Sequence, residues 1–159
     1  MSVEFVRLRG PEYPWDLLLL ADPSRDKILD YINDSIVIGL CVNERVVGVV
    51  VLTLLQESTF EIMNLAVSPA FQGRGFAKML LEEGIAESRR RGATRLELGT
   101  GNSSISQLAL YQKVGFRICG VIPDFFVANY PEPIFENGMQ CRDMIRLVYD
   151  LVPESESAE

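Results

Sequence analysis

Six residues, Gln72-Gly73-Arg74-Gly75-Phe76-Ala77, stand where an apolar strand-like run ends and a helical pattern begins. Two glycines at such a junction let backbone N–H groups turn toward one point, and the following helix adds the partial positive charge of its N-terminus. The chemistry implied is anion binding, phosphate above all. No Lys-Ser/Thr follows, so this is not a Walker A loop, and Lys78 stands three residues after Gly75 where a GxGxxG pattern needs glycine. A tight strand-to-helix turn without a ligand is the competing reading of the same two glycines.

Missing residue types narrow the chemistry further. The 159 residues include no His, which excludes Ser-His-Asp and Cys-His nucleophile systems, HExxH sites and His-containing zinc sites. Any acid or base must be a carboxylate, Tyr, Cys or Lys. The three cysteines, Cys41, Cys119 and Cys141, form no CxxC pair; their odd number and wide spacing argue against zinc and fit free thiols in a reducing cytoplasm. Lys and Arg number 15 against 22 Asp and Glu, a net charge of −7, so a nucleic acid is a poor partner and a cationic or neutral small molecule a better one. Residues 1–8 lack the pattern of a signal peptide, and the longest apolar run, residues 46–55, is too short to span a bilayer. The expectation is a cytoplasmic protein with no membrane, nucleic-acid or metal partner.

The elements that must position the glycine loop follow from periodicity. A chain of this length can bury one core unaided. Residues 1–152 read as a single domain and 153–159 as an acidic tail expected to be disordered. Residues 3–8 suggest a strand and 13–21 a short helix. Asp22-Pro23-Ser24 reads as a helix start with Asp as N-cap and Pro first in a helix reaching about Asp34. Apolar runs at 36–42, 46–55 and 60–67 predict three consecutive antiparallel strands, the first pair joined by Asn43-Glu44-Arg45. A helix opens after the glycine loop with Met79, Leu80 and Ile85 as its inner face, closed by Arg89-Arg90-Arg91-Gly92. Residues 95–98 read as a strand, 104–114 as a helix with Ile105, Leu108 and Tyr111 at helical spacing, 116–121 and 144–151 as strands, and 123–141 as a loop rich in aromatic and acidic residues.

A second motif, Tyr111-Gln112-Lys113-Val114-Gly115-Phe116, stands downstream of the loop. Together the two make the chain resemble the Gcn5-related N-acetyltransferase (GNAT) family, whose signatures are Q/R-x-x-G-x-G/A and Tyr-x-x-x-Gly-Phe. The resemblance covers residues 3 to 151. It implies an α+β (α-β) fold, a mixed, mainly antiparallel twisted sheet flanked by helices. It also implies acetyl-CoA as acetyl donor and a primary amine as acceptor. Carried over by position, Leu65, Ala66 and Val67 would pair with the pantetheine arm, and Gln72, Gly73, Arg74, Gly75, Phe76 and Ala77 would wrap the pyrophosphate. Tyr111 would protonate the departing thiolate, with a place in the core as its alternative. Glu61 would take the proton of the attacking ammonium, with a half-exposed sheet position as its alternative. Where many members carry Asn and Ala, seven and four residues before the tyrosine, this chain has Ser104 and Gln107, so Ser104 and the nearby Asn102 are the candidates for contacts at that end. The 123–141 loop falls where the family places its acceptor; it could hold an organic cation by cation–π attraction and charge, cover the core, or meet a second subunit in a homo-oligomer. A non-catalytic CoA-binding or regulatory module of the same fold is the alternative to an enzyme.

Overall fold

A computed structural model describes residues 2–151, so the acidic tail at 153–159 lies outside the described residues. β1 (Val3–Leu8) leads to α1 (Trp15–Ala21) and α2 (Arg25–Ile32), and then to the meander β2 (Ile36–Val42), β3 (Arg45–Gln56) and β4 (Thr59–Val67). α3 (Phe76–Arg90) crosses to β5 (Arg95–Gly101), followed by α4 (Ile105–Val114) and β6 (Arg117–Ile122). A short helix α5 (Phe125–Asn129) and a hairpin, β7 (Ile134–Glu136) with β8 (Met139–Cys141), precede the last strand, β9 (Met144–Asp150). The main sheet runs β1-β2-β3-β4-β5-β9-β6. Every neighbouring pair is antiparallel except β4 and β5, which run parallel because α3 returns the chain across the sheet. This is the mixed, mainly antiparallel sheet flanked by helices that the motifs imply.

Two apolar layers enclose the sheet. One packs Leu80, Leu81 and Ile85 of α3 with Tyr111 and Phe116 on Leu40, Leu52, Leu96 and Leu147. The other packs Leu17, Leu18, Ile28 and Ile32 of α1 and α2 on Val37, Val49 and Val51. All seven residues of β2 are buried, which is why its sequence is an unbroken apolar run rather than an alternating one.

Several boundaries differ from the sequence reading. Asp22 does not cap α2. Its Oδ1 accepts from Ser24 N at 3.1 Å, and Ser24 is the cap, its Oγ accepting from Lys27 N at 3.2 Å. Asp22 thus folds the turn before the helix, as Asx residues do, and α2 stops at Ile32. Asn43 and Glu44 alone turn the first hairpin, both at positive φ, and Arg45 already pairs with Val42. β5 runs on to Gly101, because Gly99, Thr100 and Gly101 pair with Arg146, Ile145 and Met144; low strand propensity hid these residues. Ile105 is 50% exposed: it lies in the first turn of α4, ahead of Leu108, Leu110 and Val114, which pack on the core. The 123–141 segment is not a plain loop but α5 and the β7–β8 hairpin.

Candidate active site

A bulge in β4 opens the site. Val51 pairs with Asn64 but Leu52 with Ile62, so Met63 is an extra residue that bends the strand. β4 pairs with β5 only through residues 59–62 against 95–98. Beyond Ile62 the two strands separate, β5 following β9 while β4 follows β3. Leu65, Ala66 and Val67 keep Val50, Val49 and Gly48 as neighbours on one side and, among the described residues, have no partner strand on the other. An extended chain could lie there as an added strand. Between the diverging strands is a cleft of about 970 Å³ lined by these three residues, Gln72, Gly73 and Ala77 at one end and by α2 and α5 at the other.

The glycine loop closes the first end. Gly73 and Gly75 adopt φ of +78° and +83°, in the left-handed region, while a Cβ on either would meet nothing within 4 Å. Conformation, not crowding, requires glycine here, and the space beside the backbone is open. Gly75 is the N-cap of α3 and no side chain caps it. The first N–H groups of α3 therefore have no partner within the helix and suit an anion. Phe76 is buried and anchors the helix start, its ring 6.3 Å from that of Phe71, over which the Arg74 guanidinium lies at 5.2 Å. Gln72 Nε2 donates to Val67 O at 2.9 Å and ties the strand end to the loop, so that amide nitrogen is spent within the protein.

Tyr111 lines the cleft from α4. It is 7% exposed, beside Phe116 at 6.2 Å, and among the described residues nothing hydrogen-bonds its hydroxyl. Burial pushes its phenol up to about 12, so it holds its proton throughout the neutral and mildly alkaline range. Core packing and a place on the cleft are both properties of this one residue.

Glu61 also lines the cleft, in a row of charges crossing three strands. Its Oε2 accepts from Arg146 Nη1 at 2.8 Å, Arg146 Nη2 reaches Glu97 at 3.0 Å, and Arg95 reaches Glu97 at 2.7 Å. Burial works against the Arg146 charge, but hydrogen bonds and charges from Glu61 and Glu97 outweigh it and hold the guanidinium above its ordinary value. Burial likewise opposes the Glu97 charge, yet Arg95 and Arg146 keep its carboxyl below the usual range. Gly99 leaves room beside the row: a Cβ there would meet Met144 Sδ at 2.5 Å and Arg146 Nη1 at 2.8 Å.

Ser104 and Asn102 part company. Ser104 lines the cleft, its Oγ donating to Glu136 at 2.9 Å. Asn102 is not among the lining residues: its Oδ1 accepts from Arg142 N at 2.8 Å and Asp143 N at 3.0 Å, while its Nδ2 donates to Gln140 O at 3.2 Å. The Asn102 side chain clamps the approach to β9 and the structure does not bring it to the cleft.

The far end holds groups that periodicity could not reveal. Tyr130 of the 123–141 segment donates to Asp22 Oδ1 at 2.9 Å, across 108 residues of sequence, and Lys27 Nζ lies 5.2 Å over its ring. Burial raises the Tyr130 phenol, and Asp22 raises it further. Phe126 stacks on Tyr130 at 5.9 Å. Asp22, Asp30 and Glu136 line this end.

The model of the acetyltransferase (GNAT) family matches residues 3–116. The N-acetyltransferase YvbK of Bacillus subtilis is 48% identical over 137 residues, 86% of this chain and 88% of that one. The solved structure of an IAA acetyltransferase from Bacillus cereus superposes with TM-score 0.92 at 46% identity, covering 94% of this chain and all of that one. A GNAT family acetyltransferase from Elizabethkingia anophelis with acetyl-CoA bound superposes with TM-score 0.91 at 42% identity, covering 94% and 98%.

Proposed function

The chain belongs to the GNAT family of acetyltransferases, and from that premise we propose that it moves the acetyl group of acetyl-CoA to a primary amine in the cleft between β4 and β5. The observation that carries the reading is the unpaired edge of Leu65, Ala66 and Val67 running into two left-handed glycines and an uncapped helix. That edge suits the amides of a pantetheine arm, and the loop of Gln72, Gly73, Arg74, Gly75, Phe76 and Ala77 suits a pyrophosphate held by backbone N–H groups. The residues present fit this donor, which a relative of the same fold binds.

The amine lone pair attacks the thioester carbon, and N–H groups of the β4 edge steady the oxygen as charge develops on it. The C–S bond then breaks. Tyr111 supplies the proton of the departing sulfur from a hydroxyl with no other partner among the described residues, and the surplus proton that the nitrogen sheds as the amide forms restores the phenol. Glu61, directly or through water, takes the proton that the ammonium must lose, and Arg146 holds its carboxylate in place. Asp22, Asp30 and Glu136, beside Phe126 and Tyr130, favour a cationic amine at the far end. The thiols of Cys41, Cys119 and Cys141, all free, support a reducing cytoplasm as the place of reaction. Incubation of purified protein with acetyl-CoA and a library of amines should release free thiol with some of them. Calorimetric binding of acetyl-CoA with no thiol release on any amine would favour the non-catalytic module.

A further inference from the structure

One polar side chain in the cleft has hydrogen bonds that do not close. Asn64 lies at the bulge of β4, 3% exposed and among the residues lining the cleft. Its Nδ2 donates to Leu18 O at 3.0 Å and to the Tyr31 hydroxyl at 3.2 Å. A carbonyl oxygen can only accept, so Leu18 fixes which end of the amide is nitrogen. Asn64 Oδ1 is then a buried acceptor with no donor among the described residues, a state that costs stability until a donor arrives. Tyr31, which also lines the cleft, is its complement. The oxygen of Tyr31 accepts from Asn64, and among the described residues nothing accepts its proton. Burial pushes this phenol up to about 12, an Asn64 hydrogen bond working against it and Asp22 with it, so the proton is there to donate.

Register decides what this pair faces. The glycine loop follows Val67, so an arm that starts at the loop and lies along Val67, Ala66 and Leu65 runs back toward the bulge. Its reactive end arrives beside Met63 and Asn64. Asn64 and Met63 lie on the layer of α1 and α2, where the acceptor end of the cleft is built.

Resting on the acetyltransferase reading above, we infer that Asn64 and Tyr31 select the acceptor: Asn64 Oδ1 takes an N–H of the reacting nitrogen, and the Tyr31 hydroxyl donates to an oxygen on the carbon beyond the one bearing the amine. The substrate class is a primary amine with such an oxygen, as in an amino-acid amide or a 2-amino alcohol. A plain alkylamine satisfies Asn64 and leaves Tyr31 unmet; an ester-forming alcohol leaves Asn64 unmet once acylated.

Three thioether adducts of CoA test this by calorimetry, each joining the sulfur through CH2–CO to an acceptor. The first carries glycinamide, the second the same group with an ester oxygen in place of the reacting N–H, and the third propylamine. The glycinamide adduct should bind at least tenfold more tightly than either of the others. Asn64→Leu should abolish its advantage over the ester, and Tyr31→Phe its advantage over the propylamine adduct. The comparison in the unaltered protein needs no variant, so misfolding of Asn64→Leu leaves the test standing. Adducts binding within threefold of one another, with acetyl-CoA still bound, would overturn the proposal alone. Failure of acetyl-CoA to bind would overturn the cofactor reading and the proposal with it.

Discussion

Tyr111 keeps its proton through the pH range in which an alkylammonium begins to lose its own. An ordinary tyrosine is half ionised near pH 10, whereas burial pushes this one up to about 12. The acid form is present below the raised value, so alkaline conditions up to about pH 10 do not remove it. Tyr111→Phe keeps the ring and its contact with Phe116 and should lower turnover by about 10² with acetyl-CoA affinity little changed. The ratio of wild-type to variant rates should stay constant from about pH 7 to 10, and a ratio falling above pH 9 would mean that the phenol ionises where an ordinary tyrosine does. For Glu61 the expected dependence is the opposite. Glu61→Gln removes a base and leaves Arg146 with Glu97 alone, so turnover should fall about 10² at neutral pH and recover partly toward about pH 9.5, where free amine becomes abundant. Initial rates over that range decide it: a flat ratio leaves Glu61 with only the task of balancing Arg146. Tyr111 was legible because a motif names it. The Glu61–Arg146 pair was not, since it joins residues 85 positions apart and depends on which strands become neighbours.

At the scale of elements, the strand–loop–helix unit formed by β4, the glycine loop and α3 carries the cofactor assignment. Gly75→Ala introduces a side chain into open space at a left-handed φ, so it should cost about 1 kcal/mol of stability and leave acetyl-CoA affinity within a few-fold. Gly75→Glu adds a negative charge at the helix N-terminus and should weaken acetyl-CoA at least tenfold beyond the alanine variant, about 1.4 kcal/mol. Calorimetry on the two folded variants separates strain from charge; equal affinities would remove the phosphate from this loop. The unit was readable because its signals are local: two glycines, an apolar run before them and a helical stripe after them. The bulge at Met63 left no such mark. Nothing in Phe60–Val67 distinguishes a strand that keeps both neighbours from one that loses one halfway, because the loss is decided by β9 drawing β5 away. Asn102 was misplaced for a related reason. In sequence it stands just before α4, but its partners are the backbone of residues 140–143.

For the whole molecule, a ligand that fills the gap between β4 and β5 must stabilise the fold. At a concentration a hundred times its dissociation constant it adds about 2.7 kcal/mol, which for a domain of this size raises the melting temperature by roughly 5 to 10 °C. Thermal unfolding should show that shift with acetyl-CoA for the wild type and Tyr111→Phe and a much smaller one for Gly75→Glu; no shift in the wild type would mean that the folded protein does not bind acetyl-CoA. The overall architecture was legible from the succession of hairpins, α3 and α4. The position of β9 between β5 and β6 was not, because the last described strand inserts between two that precede it in sequence. That position bears on how the molecule comes into being. The β1–β4 meander is made of neighbours in sequence once α1 and α2 are passed, and such local pairings form quickly. β5 and β6 have no hydrogen bonds to each other and are joined only through β9. A nascent chain that has not yet released Met144 can complete the first wing of the sheet but not the second. The cleft between the two wings therefore gains its second wall only when β9 has joined β5 and β6, so the floor of the site can exist before its far side does.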